Sequence, residues 1–81
     1  MAWQVYMLRC ADRSLYTGIT NDLARRLRQH HSGRASRYTR SRRPIALVFV
    51  VRAANRSAAL KREAAIKRLT RIEKLKLAGG N

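Results

Sequence analysis

Apolar and polar positions alternate along Ala2–Arg9. Trp3, Val5 and Met7 fall on one side of an extended chain, and Gln4, Tyr6 and Leu8 on the other. A period of two predicts a β-strand. Ala11-Asp12-Arg13-Ser14 supplies turn residues and Leu15–Thr20 reads as a second strand, so the two predict a hairpin. The period then lengthens. Asp22 is a good helix cap, Leu23 and Leu27 recur at helical spacing in a segment reaching His31, and Gly33 suits the stop. Arg34–Pro44 has no apolar period and reads as a loop, whereas Ile45–Val51 is an apolar, β-branched third strand. Ser57 is the expected cap of a helix running to about Leu69, with Ala59, Ile66 and Leu69 along one side. Thr70-Arg71-Ile72-Glu73 is a capping-box pattern that opens a third, short helix. The order β-β-α-β-α-α predicts an α+β fold, a small three-stranded antiparallel sheet flanked by helices.

The 81 residues suit one domain, read here as 1–81, with a modest core. Any site must then sit on the elements that build that core. Charge changes the picture most. Nineteen Lys and Arg face four Asp and Glu, a formal net charge of +15, and fifteen of the nineteen are Arg. Arginine binds phosphate through a planar fork of donors and stacks on bases. A field this one-sided attracts polyanions, so nucleic acid is the expected partner. Cys10 is the single cysteine, which excludes an intramolecular disulfide and a thiolate metal site. The apolar runs Val5–Leu8 and Ala46–Val51 are far too short to span a bilayer, and Met1–Cys10 lacks the pattern of a signal peptide. The expected compartment is the cytoplasm, with no membrane partner. No feature of the sequence fixes an oligomeric state.

So few carboxylates make each one informative. Asp12 has a turn role, Asp22 caps a helix and Glu73 belongs to a capping box. Glu63 alone sits mid-helix, bordering the buried stripe. It is open to two readings, an i,i+4 ion pair with Lys67 or a chemical role. His30 and His31 are adjacent and point to different sides of a helix, which excludes an HExxH-like zinc site. No P-loop, dinucleotide fingerprint or Ser-His-Asp arrangement is present. Tyr6 and Tyr16 lie on the two hairpin strands, where tyrosines commonly pack. Gly18, inside a strand, marks a bulge or a close backbone approach. Arg25 and the loop residues Arg34, Arg37, Arg40, Arg42 and Arg43 are candidate phosphate contacts, and Tyr38 either stacks on a base or packs.

Tyr16-Thr17-Gly18, eight residues before the Arg26 of a following helix, resembles the second half of the GIY-YIG nuclease signature. Gln4-Val5-Tyr6 stands where the first half would be. Tyr16–His30 as a whole is similar to the tyrosine-strand-to-arginine-helix segment of that family, and Ala59–Lys67 to its glutamate helix. The likeness covers nearly the whole chain and is strongest to small standalone bacterial members. Departures are Gln4-Val5 for Gly-Ile, Thr17 for Ile, and no evident asparagine after the glutamate, where Lys74-Leu75-Lys76 stands.

The resemblance implies a metal-dependent nuclease that hydrolyses phosphodiester bonds in nucleic acid, DNA ahead of RNA, with endo- or exonucleolytic attack left open. It implies that Glu63 holds Mg²⁺ or Mn²⁺, that Arg26 binds the phosphate as charge builds, and that Tyr6 is the general base. Tyr16 would position phosphate or water, and His30 would support the tyrosine. Tyrosine's ordinary pKa is near 10, so this role is expected to need nearby cations that lower it. A shared site requires Tyr6 and Tyr16 on one sheet face, hence directly paired residues with even number sums. The rival readings are a non-catalytic nucleic-acid-binding module, which needs the basic surface but not the tyrosine–arginine–glutamate set, and an adaptor that recruits another nuclease.

Overall fold

The computed structural model describes residues 2–79. Its elements are β1 (Trp3–Arg9), β2 (Leu15–Thr20), α1 (Leu23–His31), α2 (Arg37–Arg40), β3 (Ala46–Ala53), α3 (Arg56–Lys67) and α4 (Arg71–Leu77). The three strands form one antiparallel sheet in the order β2-β1-β3, so β1 is central and pairs on both edges. This is the α+β architecture expected, with one added element. A single helical turn, α2, interrupts the basic segment read as pure loop. Ser36 makes it possible, because its Oγ accepts from the Thr39 backbone N–H at 3.1 Å and caps the turn.

The hairpin register is regular. Gln4 pairs with Thr20, Tyr6 with Gly18 and Leu8 with Tyr16, so every pair has an even sum and the two tyrosines share a face. Asp12 holds the connecting turn, its Oδ1 accepting from the Ser14 N–H at 3.0 Å, while Arg13 takes the left-handed region at φ 69°. On the β3 side the pairing shifts between Met7 and Leu8, a local irregularity that leaves Val48 unpaired.

The alternation read along β1 separates two cores. Val5 and Met7 bury against Ala59 and Ile66 of α3. Tyr6 and Leu8, on the other face, bury with Cys10 and Ile45, and Leu23 and Leu27 of α1 pack against them. Burying each large apolar side chain contributes about 1.5–3 kcal/mol. Tyr6 is therefore held in a core, a requirement for a side chain that must keep one orientation.

Helix ends follow local chemistry. Asp22 caps α1 by accepting from the Arg25 N–H at 3.1 Å, and Gly33 follows the helix at φ 80°. The capping box at α4 forms in both directions: Thr70 Oγ accepts from the Glu73 N–H at 3.2 Å, and Glu73 Oε1 accepts from the Thr70 N–H at 2.9 Å. The cap of α3 differs from the expected one. Asn55 rather than Ser57 does the work, accepting from the Ala58 N–H at 2.8 Å, so the helix begins and ends about two residues earlier. Among the described residues no helix is long and apolar enough to cross a membrane.

Candidate active site

Tyr6 on β1 and Tyr16 on β2 face α1 with ring centroids 6.5 Å apart. His30, from the last turn of α1, completes a three-ring cluster. Its ring stands edge-on to both tyrosines, 5.7 Å from Tyr6 and 5.3 Å from Tyr16. The Tyr6 hydroxyl meets His30 Nε2 at 2.8 Å. Both groups are nearly sealed, with exposures of 2% for Tyr6 and 1% for His30.

Gly18 explains how the Tyr6 ring fits. It lies directly opposite Tyr6, and a Cβ there would stand 2.7 Å from the Tyr6 hydroxyl oxygen and 2.8 Å from its Cζ. The strand glycine marks a close approach of ring to backbone.

The far side of His30 holds a partner that the sequence did not reveal. Thr39 Oγ1, from α2, lies 2.8 Å from His30 Nδ1 and is fully buried. Ser36 Oγ lies 3.0 Å from the same oxygen. A serine cap three residues before a threonine was the available signal, but its meaning depends on α2 folding back beneath α1.

Electrostatics around the cluster favour neutral side chains. Burial pushes the Tyr6 hydroxyl well above the ordinary tyrosine range, and Tyr16 and Glu63 add to the rise. Arg26 works in the opposite direction but does not overcome burial. The expected lowering by cations is thus not present in the free protein. Burial pushes His30 down to about 4, helped by Arg26 and His31. Near neutral pH both groups are uncharged.

Arg26 connects this cluster to the surface. It lines a polar cleft of about 250 Å³ with Thr20, Asn21, Asp22, Arg25, Gln29 and Arg34. Three arginines and one carboxylate therefore border one depression, and Arg26 ties it to the ring cluster through its field on Tyr6 and His30. Arg37 and Arg40 are exposed on α2. Arg42 and Arg43 are more committed. The Arg42 guanidinium donates to Asp12 Oδ2 and to the Tyr38 carbonyl, both at 2.9 Å. It also lies 4.0 Å over the Tyr38 ring, which stacks on Tyr16 at 5.9 Å. Arg43 donates to the Arg40 carbonyl at 3.1 Å and the His31 carbonyl at 3.3 Å.

Glu63 lies on α3 between Ala59 and Ile66, with its side chain 20% exposed. Its Oε2 is 3.5 Å from Lys67 Nζ, so the ion pair anticipated for it does form. The other three carboxylates are spent on turns and caps: Asp12 on Ser14 and Arg42, Asp22 on Arg25, Glu73 on Thr70. No group of three or more candidate metal ligands occurs among the described residues. A hard cation that takes one carboxylate and otherwise waters or substrate oxygens is compatible with this donor set, and Glu63 is the carboxylate able to serve it.

Comparison with known proteins identifies the family of the chain. The family model described as GIY-YIG catalytic domain matches residues 2–76. The UPF0213 protein OB0043 of Oceanobacillus iheyensis is 51% identical over 73 residues, covering 90% of this chain and 85% of the relative. The UPF0213 protein DP2720 of Desulfotalea psychrophila is 53% identical over 74 residues, covering 90% and 67%. Among solved structures, the solution NMR structure of the UPF0213 protein BH0048 from Bacillus halodurans matches with a TM-score of 0.62 and 39% identity, over 98% of this chain and 84% of that one. That of protein EF2693 from E. faecalis matches with a TM-score of 0.65 and 38% identity, over 94% and 81%. The chain belongs to the GIY-YIG catalytic-domain family, and its relatives include small UPF0213 proteins.

Proposed function

We propose that this protein is a metal-dependent nuclease that hydrolyses phosphodiester bonds in nucleic acid, DNA ahead of RNA, in the cytoplasm. One observation carries the reading: a buried tyrosine hydroxyl lies 2.8 Å from a buried histidine nitrogen, within the field of Arg26, which borders a cleft with Arg25, Arg34 and Asp22. A binding surface needs the arginines but has no use for the buried pair.

In this reading Arg26 receives the scissile phosphate, and its fixed charge stabilises the negative charge that grows on the phosphoryl oxygens. Arg25 and Arg34 hold the flanking backbone, with Arg37, Arg40, Arg42 and Arg43 extending the basic track. Tyr16 orients phosphate or water. Glu63 would hold Mg²⁺ or Mn²⁺, and the bound cation supplies charge stabilisation at the phosphate and leaving oxygen.

Tyr6 need not become a free phenolate. Its oxygen takes a proton from the attacking water while its own proton passes to His30 Nε2, leaving a neutral tyrosine and a protonated histidine. Burial depresses His30 most; the arriving phosphate offsets the further depression from Arg26 and His31, so the histidine becomes a better acceptor once substrate is bound.

Nicking of supercoiled plasmid with and without Mg²⁺ or Mn²⁺ tests the proposal, alongside DNA affinity. Arg26→Ala is expected to lower the cleavage rate by about 100- to 1,000-fold while changing affinity far less. Tyr6→Phe keeps the ring and should also lower turnover. DNA binding without divalent-dependent nicking by the unaltered protein would favour the binding-module reading. Equal losses of rate and affinity in both variants would reduce Arg26 and Tyr6 to anchoring or structural roles.

A further inference from the structure

We infer that Thr39, held by the one-turn helix α2, is a positioning residue that fixes the tautomer of His30 and so makes Tyr6 a usable base. The inference rests on the nuclease reading for its catalytic consequence, but not for its structural content. A neutral imidazole carries one proton, on Nδ1 or on Nε2, and the partner of one nitrogen decides the role of the other. The Tyr6 hydroxyl proton, almost sealed from solvent, has one acceptor among the described residues, His30 Nε2 at 2.8 Å. Nε2 must then be bare and Nδ1 must carry the proton.

Thr39 is built to receive it. Its Oγ1 lies 2.8 Å from Nδ1 and has no solvent exposure. Its own hydroxyl proton can go to the Ser36 carbonyl at 3.4 Å, which leaves the Ser36 hydroxyl, 3.0 Å away, able to donate to Thr39 Oγ1. The Ser36 hydroxyl oxygen is in turn pinned by the Thr39 backbone N–H at 3.1 Å. Both lone pairs of Thr39 Oγ1 are thereby used as acceptors, from Ser36 and from His30. The opposite tautomer would put a proton on Nε2 facing the Tyr6 oxygen and would leave the buried tyrosine proton without a protein acceptor. A buried donor would then have lost water with no bond in its place. That tautomer would also remove the site to which Tyr6 must pass its proton.

The expected behaviour is specific. In the unaltered protein, long-range ¹H–¹⁵N NMR of His30 should show a protonated Nδ1 and a bare Nε2. Thr39→Val, which keeps the shape and deletes the hydroxyl, should shift or mix the tautomers. It should lower kcat for plasmid nicking by roughly ten- to a hundredfold, with KM and DNA affinity nearly unchanged. Thr39→Ser should restore both the tautomer and the rate. A Nε2-protonated His30 in the unaltered protein would overturn the inference whatever the protein cleaves. So would a Thr39→Val protein with unchanged tautomer and kcat, or a Thr39→Ser protein that folds yet stays as slow as Thr39→Val. If Thr39→Val does not fold, the spectrum of the unaltered protein and the Thr39→Ser rate decide. Failure of the unaltered protein to nick would instead defeat the nuclease reading and leave the tautomer measurement standing.

Discussion

His30 contributes to folding as well as to the site, and pH separates the two. Its folded pKa of about 4 lies below the ordinary histidine value near 6.5. Between those values the unfolded chain binds a proton that the folded one refuses. The contribution of His30 is complete above about pH 6.5 and is lost as pH falls through 4, a change of roughly 3 kcal/mol at most. Melting temperature should fall over that window and should lose most of this dependence in His30→Gln. A flat profile in the unaltered protein would contradict the burial of the ring. Asp12 and Glu73, both held low by hydrogen bonds, would add their losses as pH falls below the ordinary carboxylate values. Gly18→Ala tests the same cluster from below. The added Cβ meets a ring whose hydroxyl is tied to His30, so Tyr6 must move or the strands must part. We expect a stability loss of about 1–3 kcal/mol with near-complete loss of nicking, read by denaturant unfolding and plasmid assay. An unperturbed Gly18→Ala protein would mean that Tyr6 is not seated as described.

The elements divide into those that the sequence declared and one that it hid. Strand alternation exposed β1 and β2 but not their register, so the shared face of Tyr6 and Tyr16 was a requirement that the even-sum pairing then meets. Asp22, Gly33 and the Thr70–Glu73 box gave helix ends directly, since each satisfies its own backbone locally. The α3 start was harder: Asn55 and Ser57 are both good caps, and only tertiary packing of Ala59 and Ile66 selects between them. Only the Ser36 cap distinguished α2 from loop, because a single turn carries no periodicity and is held in part by side chains from outside it. Arg43 is one of these, bridging the carbonyls of His31 and Arg40 and packing over Gly33. This division of labour among the arginines is measurable. Arg43→Ala should lower the melting temperature by a few degrees. The double change Arg25→Ala with Arg34→Ala should leave it nearly unchanged and flatten the salt dependence of DNA binding, by about 0.9 in log–log slope for each phosphate no longer neutralised. Unchanged slope in the double variant would remove the cleft from the binding surface.

At the scale of the whole molecule, a charge of +15 is a cost as well as an attraction, since like charges repel across a fold this small. The chain spends three of its four acidic groups on turns and caps and leaves one, Glu63, half-buried on α3, close enough to act on Tyr6. The sequence made that exception visible by elimination, while the geometry supplies the two competing roles together. The ion pair with Lys67 is too long and exposed to contribute more than about 0.3–0.5 kcal/mol. The most direct measurement is therefore Mg²⁺- or Mn²⁺-dependent nicking by Glu63→Gln, with Glu73→Gln as control and metal-free DNA affinity and melting temperature recorded for both. The account predicts that Glu63→Gln folds, binds DNA without metal at least as tightly as the unaltered protein, and no longer nicks, whereas Glu73→Gln loses stability alone. A Glu63→Gln protein that nicks with unaltered metal dependence would contradict it.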